Sequence, residues 1–297
     1  MNNVYRPSGH FDHTGLLIVP LMAAVFSSLL AIPYALSLWY CPVVYLGLVL
    51  PIIFVKLTAL SGWWSVRRGK IRSSQLANML GFLGAIPGFY IAWVAWGVLV
   101  DNIAVQGSVS LGWRNVNTVE SSLTLSQLFS QALDPLDLLS EMRRVGAYGL
   151  WSVEGYVVSG YCLYVVWALE AVIYFIFSSR SFGKWAQPPY SERLNSWYPS
   201  VNLSVPLSVT DKLSAEAVFE GITKGRIGAI LEAKRELNPD NASYLKVKLY
   251  YLPQAFDAFA TINGYLLKNS GGHKKKVLIQ YVKIPEPLAK NLYDQFQ

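Results

Sequence analysis

Two ionisable residues, Lys56 and Glu170, stand alone inside long apolar stretches of the chain. Charged side chains at membrane depth are costly, and they either pair with each other or mark an ion or proton pathway. The two positions differ by about 6 Å along a helix axis, which is within reach of a lysine side chain. We predict an intramembrane charge pair. Alternatively, Lys56 snorkels to the inner surface while Glu170 faces the bundle interior.

The other residues with chemical potential do not form a set. The segment His10–His13 offers two histidines and an aspartate, but a short polar tail supplies no further metal ligand. Cys41 and Cys162 are the two cysteines, and we expect both to be structural thiols. The glycines of 221–228 lack the Gly-Lys-Ser/Thr ending of a phosphate loop. We therefore predict no catalytic, cofactor-binding or metal residues, and no enzyme.

The elements that position Lys56 and Glu170 are four long apolar stretches in a chain of 297 residues, of which only 14% are charged. A span needs about 20 apolar residues, whereas a buried soluble helix rarely exceeds 14. We predict four transmembrane helices, at about 15–38, 42–60, 79–100 and 156–178. The predicted fold is an α-helical membrane bundle over 15–180, followed by a small cytoplasmic α+β domain over 185–297.

Basic residues in the connectors predict the orientation. The 61–78 connector carries Arg67, Arg68, Lys70 and Arg72 and no acid, whereas 101–155 carries three basic residues against six acids. Short cytoplasmic loops are enriched in Lys and Arg. We therefore predict a multi-pass protein of the bacterial inner membrane. Its tail 1–14 and its C-terminus are both cytoplasmic.

The outer loop, 101–155, has the pattern of two short amphipathic helices. Asp134 followed by Pro135 is typical of a helix N-cap and first turn. We expect these helices to lie on the outer leaflet or to cap the bundle. The residues expected to make their contacts are Leu128, Phe129, Leu136, Leu139 and Met142.

The third span carries Gly81, Gly84 and Gly88 on nearly one face. Glycines on a transmembrane helix allow another helix to approach closely. We expect this face to pack either within the bundle or against a partner protein.

The C-terminal region has the pattern of a small domain with an antiparallel sheet. Alternating or β-rich runs predict strands over 244–252, 259–267 and 276–284, and a closing helix is expected over 285–296. The region is basic, which suits an anionic inner leaflet. We expect no nucleic acid among its partners.

The residues Leu133–Pro135, Gly149–Ser152, Gly160 and Trp167–Ala171 resemble a loosely defined group of uncharacterised bacterial inner-membrane proteins. The resemblance covers the third loop and fourth span best. It implies four spans and a cytoplasmic tail, and it implies no activity. The group carries a Cys-x-x-Cys pair after the fourth span that would suit a zinc ribbon. This chain has Ser191 and Leu194 there, so the resemblance implies that the metal has been lost.

For function, we expect a non-enzymatic membrane protein that works through contacts with a partner protein or with a second copy, as an accessory, scaffold, sensor or immunity-type factor. The alternative is a transporter or channel component that uses Lys56 and Glu170. Four spans without an evident inverted repeat are few for a secondary transporter.

Overall fold

The computed structural model describes residues 4–40, 44–105, 123–149, 151–153, 156–202, 207–209, 220, 234–235, 243–267 and 272–296. The chain divides into two compact units. One unit is Gly9–Ala186, and the other joins Met1–Ser8 to Gln187–Gln297.

The first unit contains four helices that are long and apolar enough to cross a membrane, which confirms the predicted bundle and makes this a multi-pass membrane protein. They are α1 His13–Tyr40, α2 Val44–Arg68, α3 Ser74–Val105 and α6 Gly160–Trp185, with the shorter α4 Leu125–Leu133 and α5 Pro135–Tyr148 between α3 and α6. The last long helix begins at Gly160 rather than Tyr156. The reason is that β2 (Tyr156–Val158) pairs antiparallel with β1 (Trp151–Val153).

The bundle is held together by close approach of α1 and α3. Buried residues recur at every fourth position of α1, and most of them are small: Gly15, Val19, Ala23, Ser27, Ala31 and Ala35. Small side chains let two helix backbones approach, which strengthens van der Waals packing where lipid gives no hydrophobic driving force.

The second unit contains the predicted antiparallel sheet. Its strands are β5 Ser200–Asn202, β6 Leu207–Val209, β7 Lys234–Arg235, β8 Ser243–Tyr250, β9 Ala258–Leu267 and β10 His273–Ile284, and a separate hairpin joins β3 Tyr190–Ser191 to β4 Ser196–Trp197. The order β10-β9-β8-β6-β7 leaves β10 at one edge, while β5 also pairs with β8. Alternate residues of β8 enter a core shared with the closing helix, α7 Glu286–Phe296.

The start of the chain belongs to this second unit. Val4 forms a β-bridge with Val282, and the Tyr5 N–H donates to the Tyr281 carbonyl at 2.8 Å. The Tyr5 ring also meets Phe259 edge-on, with centroids 5.3 Å apart. The expected polar tail is therefore partly a structural element of the C-terminal domain.

Candidate intramembrane polar site

Glu170 of α6 lies inside the bundle, where the Tyr34 hydroxyl of α1 donates a hydrogen bond to its carboxylate. Phe54 of α2 stacks on the Tyr34 ring at 4.4 Å and on the Tyr174 ring at 5.0 Å between centroids. Three helices thus contribute to one layer around the carboxylate. The rings shield part of the carboxylate, and the Tyr34 phenol supplies the hydrogen bond that a carboxylate at this depth needs.

Lys56 does not take part in this layer, and the predicted pair with Glu170 is not formed. Lys56 is exposed on α2, and among the described residues it makes no ion pair. Its position explains this. At about 100° per residue, Lys56 lies roughly 200° around the helix from the buried Phe54. The arrangement fits the alternative, in which Glu170 faces the interior and the lysine ammonium extends toward the membrane surface.

A second polar layer lies about one helical turn from Glu170, at Tyr174. The Tyr174 hydroxyl donates to the Ala85 carbonyl at 3.2 Å, and Ser27 donates to the Gly84 carbonyl at 3.0 Å. Thr58 and Ser178 are fully buried in the same unit. The Tyr174 and Ser27 hydroxyls thus join α6 and α1 to the backbone of α3.

Sequence reasoning missed the hydrogen-bonding partners Tyr34, Tyr174 and Asn78. Asn78 accepts a bond from the Gly183 N–H at 3.0 Å, and its own carbonyl accepts from Ser179 at 2.9 Å. An uncharged polar residue inside an apolar stretch is the signal that could have found Tyr34 and Tyr174, because such groups require partners in lipid, whereas Asn78 lies at the end of the predicted connector.

The predicted glycine face packs within the bundle. A Cβ added at Gly81 would lie 2.5 Å from the Phe182 ring of α6, and one at Gly88 would lie 2.5 Å from Ser27 Oγ of α1. At Gly84 it would lie 2.9 Å from the Pro20 carbonyl oxygen. These glycines therefore pack against α1 and α6, which is the first of the two predicted arrangements, and this face is not open to a partner protein.

Three of the four basic residues of the α2–α3 connector have side-chain contacts in the structure. Arg67 lies over the Trp63 ring and Arg68 over the Trp64 ring, each at 5.2 Å from the centroid. Arg72 is buried and faces Asp12 at 3.5 Å. Lys70 adopts a positive φ of 47°.

Asp12, the aspartate considered as a metal ligand, thus forms an ion pair with Arg72. No group of three or more potential metal ligands occurs among the described residues.

The end of the bundle away from this connector, which we call the distal end, carries a charge cluster. Arg144 of α5 donates to Asp101 of α3 at 3.0 Å and also contacts Glu141. Burial raises the pKa of the Glu141 carboxyl, and the nearby Asp101 carboxylate raises it further. The cluster ties α5 to the end of α3.

The predicted contact residues of α4 and α5 divide into two groups. Leu128 is buried, and Met142 packs on the core near Trp167. Phe129, Leu136 and Leu139 are exposed and do not pack on the bundle, so for these three the contact with the outer leaflet stays a prediction. The helix α5 buries Leu138, Val145 and Gly146 instead. Leucines occur on both the buried and the exposed side of α5, so the apolar pattern in the sequence did not show which side packs inward.

The two cysteines do not form a described site. Cys162 is free and exposed at the start of α6, while Cys41 lies outside the described residues. Ser191 and Leu194, which the resemblance aligns with a Cys-x-x-Cys pair, are joined by a hydrogen bond from the Leu194 N–H to Ser191 Oγ at 3.3 Å.

No family model, no curated protein and no solved structure matches this chain. The resemblance to four-span bacterial proteins therefore stays a prediction. Function must be argued from the geometry.

Proposed function

We propose that this protein is a non-enzymatic, multi-pass protein of the bacterial inner membrane that acts through protein contacts made by its C-terminal domain. Both termini would be cytoplasmic. The arginine-rich connector supports that orientation. The bridge between Val4 and Val282 adds independent support, because it requires both ends of the chain to lie on one side of the membrane. An even number of spans satisfies that requirement.

The observation that carries the proposal is the edge of the sheet at β10. This strand pairs with β9, and on its other side the start of the chain meets it at Tyr281 and Val282. The stretch from Lys274 to Val277 is exposed. An open edge strand is a template for an added strand from another chain. Its three lysines favour an acidic partner segment.

The packing of the bundle interior favours a function through protein contacts over a function in transport. Rings fill it in successive layers: Tyr34, Phe54, Phe89, Trp93, Trp96, Trp167, Tyr174 and Phe175. Aromatic rings in mutual edge and offset contact make a dense core. A bundle packed in this way suits an anchor that holds a working domain at the membrane surface.

The test places a photo-crosslinking amino acid at Val277 on the open edge and, as the matched control, at the exposed Lys290 on α7. The cells are irradiated and the membranes are solubilised. We expect a discrete adduct with one other polypeptide, or with a second copy of this chain, from position 277 and not from 290. If folded protein gives no adduct at 277, the lysines serve only to block unwanted strand pairing and the proposal fails.

A second candidate function is a transporter or channel component that uses Glu170. The specific observation in its favour is an ionisable group at membrane depth that accepts a hydrogen bond from the Tyr34 phenol. Reconstituted vesicles loaded with a pH-sensitive or ion-sensitive dye would report flux. A flux that disappears in Glu170→Gln but persists in Lys56→Met would favour this candidate over the first.

A further inference from the structure

The helices α4 and α5 form a hairpin that runs along α3 into the membrane-spanning part of the bundle. At its start, Gln127 donates to the Asn102 side chain at 3.2 Å. Further along α4, Leu128 packs with Val94 and Val98. At its end, the Tyr90 hydroxyl donates to the Ala132 carbonyl at 2.9 Å. On α4 these contacts run from Gln127 to Ala132, about 8 Å at 1.5 Å per residue, and they meet α3 between Asn102 and Tyr90.

The helix α5 returns along the same path. A Cβ added at Gly97 of α3 would lie 3.1 Å from Leu138 Cδ1. Arg144 then reaches Asp101, close to the distal end of α3. The turn at Asp134 is thus the deepest point of the hairpin. From Leu125 to Leu133, α4 reaches about 12 Å, close to the depth of one leaflet of a hydrocarbon core of about 30 Å.

The backbone N–H groups at the turn are hydrogen-bonded within the protein, as membrane depth requires, while Asp134 and Asp137 themselves are exposed. The Asp134 side chain accepts bonds from the N–H groups of Leu136 and Asp137 at 3.2 and 3.0 Å. Pro135 has no N–H to satisfy. On the polar side of the hairpin, the Gln131 amide donates to Asp137 at 2.9 Å. Ser130 and Ser140 each donate to a backbone carbonyl three residues earlier.

The outward side of the hairpin is apolar. Leu125, Phe129 and Leu133 recur at four-residue spacing on α4, and Leu133 at the tip is 83% exposed. We call these three residues the α4 stripe. On α3, the half toward the connector exposes Phe82, Leu83 and Ile86, whereas 92–100 is largely buried. The hairpin thus covers α3 where its lipid-facing side chains end and presents a new apolar surface in their place.

We propose that α4 and α5 form a re-entrant hairpin inserted in the distal leaflet, with lipid acyl chains covering the α4 stripe. Three observations carry this. The hairpin contacts α3 along its length, the backbone N–H groups of the turn are hydrogen-bonded, and the α4 stripe continues the exposed apolar side of α3. A hairpin lying on the membrane surface would place its turn and its start at one depth. An inserted hairpin instead places Leu133 about 12 Å deeper than Leu125.

The test uses nitroxide labels on single cysteines at Leu125, Phe129 and Leu133, with Cys41 and Cys162 replaced by serine, in lipid vesicles. The matched control is Arg143, which is exposed on α5 near the distal end. Collision with oxygen reports lipid, and collision with a water-soluble nickel chelate reports water. We expect the oxygen-to-nickel ratio to rise steadily from Leu125 to Leu133. The ratio at Arg143 should be the lowest.

Two results would overturn the proposal. High nickel collision at Leu133 would place the tip in water. Low collision with both reagents would mean that protein, such as a second copy, covers the stripe. If a nitroxide label disturbs folding, the unlabelled cysteine variants perturb the protein less, and the reaction of their thiols is measured in intact vesicles instead. A charged thiosulfonate should modify the cysteine at Arg143 at once, whereas Leu133→Cys should react only after the protein is denatured, because a thiol in hydrocarbon does not form the reactive thiolate.

Discussion

The close approach of α1 and α3 makes a quantitative prediction at Gly88. The methyl group of Gly88→Ala would lie 2.5 Å from Ser27 Oγ and 2.7 Å from the Ser27 carbonyl carbon. Ordinary contacts of a Cβ begin near 3.4 Å, so the helices must separate by close to an ångström. That shift also strains the bond from Ser27 to the Gly84 carbonyl.

The magnitude follows from three contributions. Overpacking costs about 1–3 kcal/mol, and a weakened interhelical hydrogen bond costs about 0.6 kcal/mol. Replacing glycine by alanine within a helix recovers about 0.5–1 kcal/mol. We therefore expect Gly88→Ala to lower the free energy of unfolding by about 1–3 kcal/mol.

The assay is equilibrium unfolding in bicelles by titration with a denaturing detergent. Gly97→Ala is the matched control, because its methyl meets only the flexible end of Leu138 at 3.1 Å. The control should be neutral or slightly stabilised. If Gly88→Ala is as stable as Gly97→Ala, the reasoning about close packing of α1 on α3 is refuted.

Three further predictions follow from other contacts. Tyr34→Phe and Glu170→Gln should each destabilise the bundle, and the double variant should cost less than their sum by about 0.6–2 kcal/mol in the same titration. Because native Glu141 binds its proton more tightly than the unfolded chain does, stability should fall as pH rises from the ordinary carboxyl pKa through the raised value. Glu141→Gln should remove that part of the pH dependence of unfolding; an unchanged profile would contradict the assignment. Tyr5→Ala should release the start of the chain and speed its cleavage by protease, with the exposed Lys290→Ala as an unaffected control.

The four helices could be predicted from the sequence because length and apolarity alone determine what can span a bilayer. The partners of Glu170 could not. Spacing along the chain gave its depth relative to Lys56, but depth does not give the direction in which a side chain points. That direction depends on which arc of α2 packs inward, and Phe54 and Thr58 set that arc.

The same limit applies to α4 and α5. Their existence and the cap at Asp134 were predicted from local chemistry and are confirmed. Their buried faces were only half predicted, because both helices are apolar on more than one arc. The bridge of Val4 to Val282 is non-local, and no periodicity in the first residues indicates it.

The central claim is the arrangement of four spans with the connector and the C-terminal domain on the cytoplasmic side. Topology reporters fused after Gly69, after Arg143 and after Gln297 test it directly. We expect cytoplasmic activity at Gly69 and Gln297 and activity on the opposite side at Arg143. Reporters at Gly69 and Gln297 that are active on opposite sides of the membrane would contradict the account.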